Sequence, residues 1–320
     1  MTVPLVSVLV TFYQQAPYVR ETVGSILAQT HPRVEAVLTD DGSTDGTREL
    51  LESLGAEHPD RLRVLTVEQN TGISANVNRG LRACTGDYVA LLSGDDVMLP
   101  SKLERQVAAL QAQPRAVLCH HDAEVFTTPG DEVLGVFTEL MNGVPGTRSG
   151  GAELVFDTSY LMLPSTFMMP RWALPERPFD ERLRFANELL WHAEIAARGP
   201  IVGLDDVLVR YRRHASNTTS DRRHDAYRLE EFLMAMAIVT ARHPELHGLA
   251  QRRSAGYLLE GARAALGAGD RRRAMRLGVA ALRHAGVVRG TLEAVRLLRT
   301  QRRRASVRSA DAHRELTGGR

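Results

Sequence analysis

The chain has 320 residues, enough for one α/β domain with an appendix, and its 43% hydrophobic and 24% charged residues are ordinary for a globular protein. This composition excludes a collagen-like or mucin-like chain and wholesale disorder. The formal net charge of +2 conceals an asymmetry, because residues 251–320 contain 17 Arg and 5 acidic residues, whereas residues 1–250 contain 23 basic and 33 acidic residues.

Strand and helix patterns alternate over the first hundred residues. Short apolar runs rich in β-branched residues are typical of buried parallel strands, and the segments between them carry apolar residues at helical spacing. This alternation predicts a largely parallel sheet with right-handed crossovers. The predicted strands are residues 5–10, 34–38, 62–67 and 88–92, and the predicted helices are residues 18–29, the segment after Thr47 and residues 74–83.

The second half of the chain has a mixed pattern that ends in helices. Residues 127–151 are rich in Gly, Pro, Thr and Ser and predict a loop or flexible insertion. The pattern predicts helices at residues 102–111, 189–197, 227–242, 255–266, 272–285 and 291–299, and strands at 116–119 and 207–211. The predicted organisation is a domain over residues 1–220 with halves 1–120 and 121–220, a helical appendix over 221–300 and a disordered basic tail over 301–320.

Cysteine usage and hydropathy indicate the compartment. Cys84 and Cys119 are the two cysteines, too few for a disulfide framework, so we expect free buried thiols and a reducing compartment. The first residues lack the pattern of a secretory leader, and no run reaches about 18 apolar residues. The sequence therefore predicts a cytoplasmic protein without a membrane span.

Polar residues follow three of the predicted strands. They are residues 11–13, the pair Asp40 and Asp41, and the pair Asp95 and Asp96. Ligands of open parallel sheets collect at the carboxyl ends of the strands. A nucleotide diphosphate sugar needs an acceptor for its base, a stacking ring and a hard cation at the diphosphate, and these residue types supply all three.

Other interpretations of these residues remain open. An acidic residue after a strand is often a turn former or a helix N-cap, although two Asp pairs favour a site. The glycine fingerprints of nicotinamide-binding and P-loop proteins are both absent, which argues against those two classes.

Five motifs stand out in the first hundred residues, at residues 6–13, 25–32, 40–47, 70–80 and 86–96. In residue types, order and spacing they resemble glycosyltransferase family 2, and the resemblance extends to about residue 215. The resemblance implies the GT-A fold, a Rossmann-like α/β sheet flanked by helices. It also implies an inverting transfer from a nucleotide diphosphate sugar of UDP, dTDP or GDP type, helped by Mg²⁺ or Mn²⁺. The acceptor would be a glycan or a lipid-linked glycan, in the synthesis of a glycan, a cell-surface polysaccharide or a glycoconjugate.

Site residues follow from the resemblance position by position. Thr11 and Tyr13 would line the base and ribose site, Asp41 would accept a hydrogen bond from the base, and Asp95 would bind the metal. Ser93 departs from the family's common Asp-x-Asp pattern, which removes one carboxylate from the site. The full nucleotide-binding set is Thr11, Phe12, Tyr13, Asp40, Asp41, Asn76 and Asp95, and the metal-binding set is Asp95, Asp96 and His214.

Glu188 is the candidate catalytic base. An inverting enzyme needs a carboxylate to take the proton of the attacking hydroxyl. Residues 185–200 resemble the family segment that usually begins Glu-Asp, and Glu188 stands where Asp is commonest. The alternative is a first-turn acid that is favoured only by the helix dipole.

His214 ends a second segment that resembles the family, residues 211–214, in which a histidine approaches the metal or the diphosphate. The alternative is a solvated loop histidine. Arg212 and Arg213 either bind the leaving phosphates or face water.

The basic C-terminal helices allow three interpretations. Residues 271–304 interleave Arg with apolar residues and predict amphipathic helices with a basic face. They pack on the catalytic domain with Arg outward, or they contact anionic lipid at the inner face of the membrane, where a lipid-linked acceptor would lie. Nucleic-acid binding is disfavoured because no aromatic platform or known motif is present.

Two other functions compete with that of a glycosyltransferase, and the oligomeric state is a separate question. A non-catalytic sugar-nucleotide-binding or scaffold protein is conceivable because of Ser93 and Glu188. A nucleotidyltransferase is disfavoured because its Gly-rich, basic N-terminal loop is missing. A homo-oligomer stays open.

Overall fold

The structure is a computed structural model that describes residues 2–157, 160–176, 179–183, 186–215, 217 and 225–285. Its first half alternates strands and helices as the sequence predicted, and β1, β2, β3 and β4 pair in parallel in the order β3-β2-β1-β4. The elements are β1 Val6–Phe12, α1 Val19–Leu27, β2 Val34–Asp40, α2 Thr47–Glu57, β3 Leu62–Leu65, α3 Ile73–Ala83 and β4 Tyr88–Ser93.

The same sheet continues beyond β4 with mixed strand directions, in the order β8-β6-β9-β5, and β7 pairs with β6. In this half β6 and β9 are parallel, and the other pairs are antiparallel. The predicted largely parallel sheet therefore describes the first half. The elements are β5 Val97–Met98, α4 Lys102–Ala112, β6 Leu118–Thr127, β7 Val133–Val136, α5 Glu153–Phe156, β8 Met168–Pro170, α6 Asn187–Ala196 and β9 Ile201–Arg213.

Residues 127–151, predicted as a loop or insertion, contain regular structure. β7 lies in this segment and pairs with residues 124–126 of β6, and a π-helical turn follows at Thr138–Asn142. Asp122 in β6 accepts hydrogen bonds from the backbone N–H and the hydroxyl of Thr138, which attaches the segment to the sheet. The Gly- and Pro-rich composition did not predict this regular structure, because long-range hydrogen bonds order the segment and local propensity does not.

The sheet has an apolar core on each face. Val8 and Val10 of β1 join one core with α1 and α4, whereas Leu9 joins the other core with α3 and α6. This division follows from the period of two along a strand. Both faces of β1 are buried, as its nearly continuous apolar run predicted.

Three helices follow the sheet: α7 Asp225–Arg242, α8 His247–Gly267 and α9 Arg271–Ala285. They correspond to predicted helices, although α8 begins eight residues earlier than predicted. Ala235, Met236 and Val239 of α7 belong to the same core as α6, so this helix is packed on the sheet domain. In the described part of the chain no helix is both long and apolar enough to cross a membrane. The predicted helix 291–299 and tail 301–320 lie outside the described residues, and the predicted domain boundaries stay a prediction.

Cys84 and Cys119 are free and buried, as predicted. Burial raises the pKa of each thiol to about 12. Both thiols are therefore protonated and unreactive at neutral pH.

Lys102 is the single lysine of the chain, and it is fully buried at the start of α4. Its Nζ donates a hydrogen bond to Gln106 Oε1 at 2.8 Å. Burial lowers the pKa of the Lys102 amine to about 7, whereas an unfolded lysine has a pKa of about 10.4. Above pH 7 the unfolded chain therefore binds a proton that the native protein does not hold, so the Lys102 contribution makes the free energy of unfolding rise with pH.

We expect Lys102→Met to remove this rise. The wild-type protein should gain roughly 1.5 kcal/mol of stability from Lys102 between pH 7 and pH 8.5. Above about pH 8.5 the buried cysteine thiols oppose the trend, because unfolded thiols then ionise. Urea unfolding of both proteins at the two pH values measures the difference. An equal pH dependence in the wild type and Lys102→Met would contradict the assignment.

Candidate functional site

The carboxyl ends of β1, β2 and β4 meet at one edge of the sheet. β1 lies between the other two strands and pairs in parallel with both, with Phe12 beside Asp40 and Thr11 beside Ser93. The two aspartate pairs that follow β2 and β4 are therefore brought to the same edge. This edge is the crevice at which the sequence predicted a ligand.

The three residues at the end of β1 differ in exposure. Tyr13 is 48% exposed, so its ring is available to stack on a base, and Thr11 is partly exposed. Phe12 is 1% exposed and packs in the core, because strand alternation turns it to the face opposite Thr11. We therefore remove the Phe12 side chain from the predicted nucleotide-binding set.

Asp40 holds the turn after β2. Its Oδ2 accepts hydrogen bonds from the backbone N–H groups of Gly42 and Ser43, and its Oδ1 accepts one from the Ser43 hydroxyl. Gly42 has a φ of +75°, and a Cβ there would lie 2.7 Å from the backbone carbon of Gln69. The turn therefore requires glycine. Asp40 acts within the turn, and this supporting role replaces the predicted contact with the nucleotide.

Asp41 joins the turn after β2 to the start of α3. Its Oδ1 accepts hydrogen bonds from the Thr71 N–H and hydroxyl, and its Oδ2 accepts one from the Gly72 N–H at 2.8 Å. Arg79 Nη2 lies 3.6 Å from Asp41 Oδ1. Arg79 thus adds a positive charge that we did not predict, although it lies inside the motif at residues 70–80.

Asn76 is buried beneath this part of the site. Its Nδ2 donates to the carbonyl oxygens of Phe12 and Thr39, and its Oδ1 accepts a hydrogen bond from Arg79 Nη2 at 2.5 Å. The side chain therefore joins the ends of β1 and β2 and positions Arg79. Asn76 and Asp41 are each 2% exposed, so burial does not separate their roles, and the predicted nucleotide contact of Asn76 stays a prediction.

Asp95 and His214 meet although 119 residues separate them in the chain. Asp95 Oδ2 lies 3.0 Å from His214 Nε2, and both side chains are largely buried. Asn217 Nδ2 lies 3.4 Å from the same carboxylate oxygen, and its Oδ1 accepts a hydrogen bond from the His214 N–H. The predicted metal-site residues Asp95 and His214 are thus adjacent, and Asn217 is an addition.

Asp96 is turned inside the protein. It is fully buried, its Oδ1 accepts a hydrogen bond from the Arg212 N–H, and its Oδ2 accepts one from the Ser165 hydroxyl. Burial and the neighbouring Asp95 charge raise the pKa of Asp96 well above its usual value. We therefore remove Asp96 from the predicted metal-binding set, because its oxygens serve the fold.

Arg212 supports the Asp95 segment from within. Its Nε donates to the Asp95 carbonyl oxygen at 2.7 Å, and its other nitrogens reach Glu21 and Thr128. Its guanidinium also lies 4.9 Å from the centre of the Tyr18 ring, which in turn lies 4.9 Å from the His214 ring. Arg212 therefore takes neither of its two predicted roles, phosphate binding or exposure to water. Sequence reasoning missed Tyr18, because no motif identifies it.

Glu188 lies in the first turn of α6, near the edge of the sheet where β1, β2 and β4 end. Asn187, the residue before it, donates to the Ser74 hydroxyl oxygen at 2.5 Å, and Ser74 lies in the first turn of α3, two residues after Gly72. The Glu188 side chain reaches solvent, yet the surrounding protein raises the pKa of its carboxyl by desolvation. A solvent-accessible carboxylate with a raised pKa is suited to accept a proton.

The ligands at Asp95 fit a divalent cation whose coordination is completed by oxygens of a substrate. In the described part of the chain, no three His, Cys, Asp or Glu side chains are grouped closely enough to hold a metal ion. Mg²⁺ and similar hard cations are commonly held by one or two carboxylates and complete their coordination with phosphate oxygens and water. Asp95 supplies one carboxylate, with the His214 imidazole beside it.

The sequence of the chain is similar to those of known proteins. Residues 7–142 match the family model described as glycosyl transferase family 2. An uncharacterized glycosyltransferase of Nostoc sp. is 38% identical over 116 residues, which are 36% of this chain and 36% of the relative. The next two curated relatives are covered over 39% and 41% of their length. The chain thus matches about two fifths of the length of these relatives.

Solved structures share this type of fold. Staphylococcus aureus TarS 1-349, solved in complex with UDP-GlcNAc, is 16% identical with a TM-score of 0.67 and covers 98% of this chain and 92% of its own. The mannosyltransferase PcManGT of Pyrobaculum calidifontis, solved with GDP-Man and Mn²⁺, is 21% identical with a TM-score of 0.53 and covers 94% and 87%. These likenesses confirm the predicted GT-A fold.

Proposed function

We propose that the chain is an inverting, metal-dependent glycosyltransferase of family 2, the family whose model matches its residues 7–142. The donor in this proposal is a nucleotide diphosphate sugar, and the acceptor is a hydroxyl group of a glycan or a lipid-linked glycan. Nucleotide sugars bound to TarS and to PcManGT support the donor class, because both proteins share the fold.

The observation that carries the proposal is the Asp95–His214 pair at the carboxyl end of β4. An anionic oxygen and an imidazole nitrogen 3.0 Å apart, both largely buried, form a preorganised polar site beside the crevice. Tyr18 and Arg212 hold this pair in position from the other side. Groups fixed in this way would hold a cation without reorganising, and the cation would offset the negative charge that develops on a leaving diphosphate.

The nucleoside is held at the ends of β1 and β2 in this proposal. The exposed Tyr13 ring stacks on the base, and Thr11 lines the ribose. Asp41 accepts a hydrogen bond from the base N–H, and the Arg79 guanidinium lies 3.6 Å from its Oδ1. Binding requires Asp41 to exchange part of its hydrogen bonding to Thr71 and Gly72.

Glu188 takes the proton of the acceptor hydroxyl. As the proton moves to the carboxylate, the acceptor oxygen attacks the anomeric carbon and the bond to the diphosphate oxygen breaks, so the electron pair leaves with the nucleoside diphosphate. His192, one turn further along α6, is a poor base, because burial lowers the pKa of its imidazole to about 3. A cation held by Asp95 would neutralise the diphosphate as it departs.

A thermal-shift screen of sugar nucleotides with Mn²⁺ identifies the donor. A ligand present at about 100 times its Kd adds about 2.7 kcal/mol of stability, which raises the melting temperature by several degrees. We expect one nucleotide class to give this shift and to require Mn²⁺ or Mg²⁺ for most of it. Absence of a shift with every UDP, dTDP and GDP sugar would refute donor binding.

Turnover separates the enzyme from a binding protein. Steady release of the nucleoside diphosphate from the identified donor supports a transferase, whereas binding without release for all acceptors supports a scaffold. The anomeric configuration of the product, read by NMR, tests inversion: an α-linked donor should give a β-linked product.

A further inference from the structure

The helix α9 exposes an apolar stripe that the proposed transferase activity does not use. Met275, Val279 and Leu282 are 69%, 45% and 37% exposed, and their spacing places them on one side of the helix. The opposite side is packed, because Ala281 and Leu277 join a small core with Leu258 of α8. The helix is therefore apolar on two sides, of which only one is covered by the described part of the chain.

Arginines lie along both edges of this stripe, which we define as Met275, Val279 and Leu282. Arg272, Arg276 and Arg283 follow one edge at helical spacing, and Arg271 lies at the other. All four are exposed, and residues 271–285 contain no acidic residue. Among the residues that the structure describes, none of these guanidinium groups forms an ion pair with a carboxylate.

We propose that the stripe and its arginines dock on an anionic lipid surface. The apolar side chains enter the boundary between headgroups and acyl chains, and the arginines bind lipid phosphates in the plane above. Charge favours this occupant over a second copy of the chain. Two copies meeting through the stripe would bring their arginine rows together without an acidic partner on α9.

Flotation with vesicles tests the surface in the full-length chain. We expect binding to phosphatidylcholine vesicles that contain about one third phosphatidylserine, weakening as salt rises, and little binding to phosphatidylcholine alone. The combined variant Met275→Gln, Val279→Gln and Leu282→Gln should lower binding at least tenfold. Arg272→Gln, Arg276→Gln and Arg283→Gln together should lower it by a larger factor at low salt.

A matched control changes the same residue types elsewhere. Met234→Gln on α7, where the side chain is 45% exposed, combined with Arg82→Gln at the end of α3, should leave vesicle binding unchanged. All variants should keep the donor-induced thermal shift, so a failure of lipid docking is distinguishable from a failure of the transferase proposal. Equal binding to neutral vesicles, full binding by the stripe variant, or a wild-type dimer that the stripe variant dissociates would each overturn the proposal.

Discussion

Replacing Glu188 by Gln should lower kcat for glycosyl transfer by about 10³-fold, within the usual range for loss of a general base. Donor affinity should change little, because the carboxylate faces the acceptor in the proposed reaction. Steady-state kinetics with the identified donor and acceptor measure the first quantity, and the donor-induced thermal shift measures the second. Retention of wild-type kcat would exclude Glu188 as the base.

Glu49 provides a matched control for the helix-dipole alternative. It is also an exposed acid in the first turn of a helix, α2. Each substitution, Glu49→Gln and Glu188→Gln, should cost at most about 1 kcal/mol of stability through the helix dipole. Only Glu188→Gln should lower kcat. Equal effects of the two substitutions on kcat would show that Glu188 is a first-turn acid and nothing more.

The pH profile and a shorter side chain add two further tests of Glu188. A base must be deprotonated, so kcat/KM should rise with pH through the pKa of Glu188, which desolvation holds above the ordinary glutamate value. This rise should disappear in Glu188→Gln. Glu188→Asp, which restores the residue commonest in the family, should keep the rise and retain part of the activity.

Local patterns were sufficient to predict the first half of the fold. β1, β2 and β4 have seven, seven and six residues, most of them apolar, and their polar ends follow directly from the sequence. β8 and β5 escaped prediction because strands of three and two residues have no measurable period. β7 escaped because Gly and Pro surround it, and its order depends on pairing with β6.

The site could be predicted in part for a similar reason. Family motifs identified Asp95 and His214, and the fold places them 3.0 Å apart, although nothing local relates two residues so distant in the chain. The motifs did not reveal which carboxylate oxygens are already engaged in hydrogen bonds within the fold. Asp96 appeared equivalent to Asp95, yet its contact with Arg212 exists only after β9 pairs with β5, and its contact with Ser165 only after β8 pairs with β4.

Because the Asp96 oxygens are engaged within the fold, the charge of Asp95 is the one expected to act on a cation. Asp95→Asn should lower transfer by about 10²- to 10³-fold, because the amide keeps the shape but loses the charge that holds a cation at the diphosphate. The affinity for the nucleoside diphosphate should also lose its dependence on Mn²⁺. Isothermal titration with and without Mn²⁺ measures this second effect independently of turnover.

Asp87→Asn is the control, because Asp87 lies just before β4, at the end of the strand away from the crevice, and is exposed. It accepts a hydrogen bond from the Leu5 N–H, which Asn can also accept. Transfer and the Mn²⁺ dependence should both survive in this variant. If Asp95→Asn retains Mn²⁺-dependent nucleotide binding, the cation has another ligand, and the missing carboxylate at Ser93 then has no cost to the site. If transfer and the Mn²⁺ dependence of nucleotide binding are lost in Asp95→Asn and kept in Asp87→Asn, one carboxylate beside His214 is sufficient for the metal role.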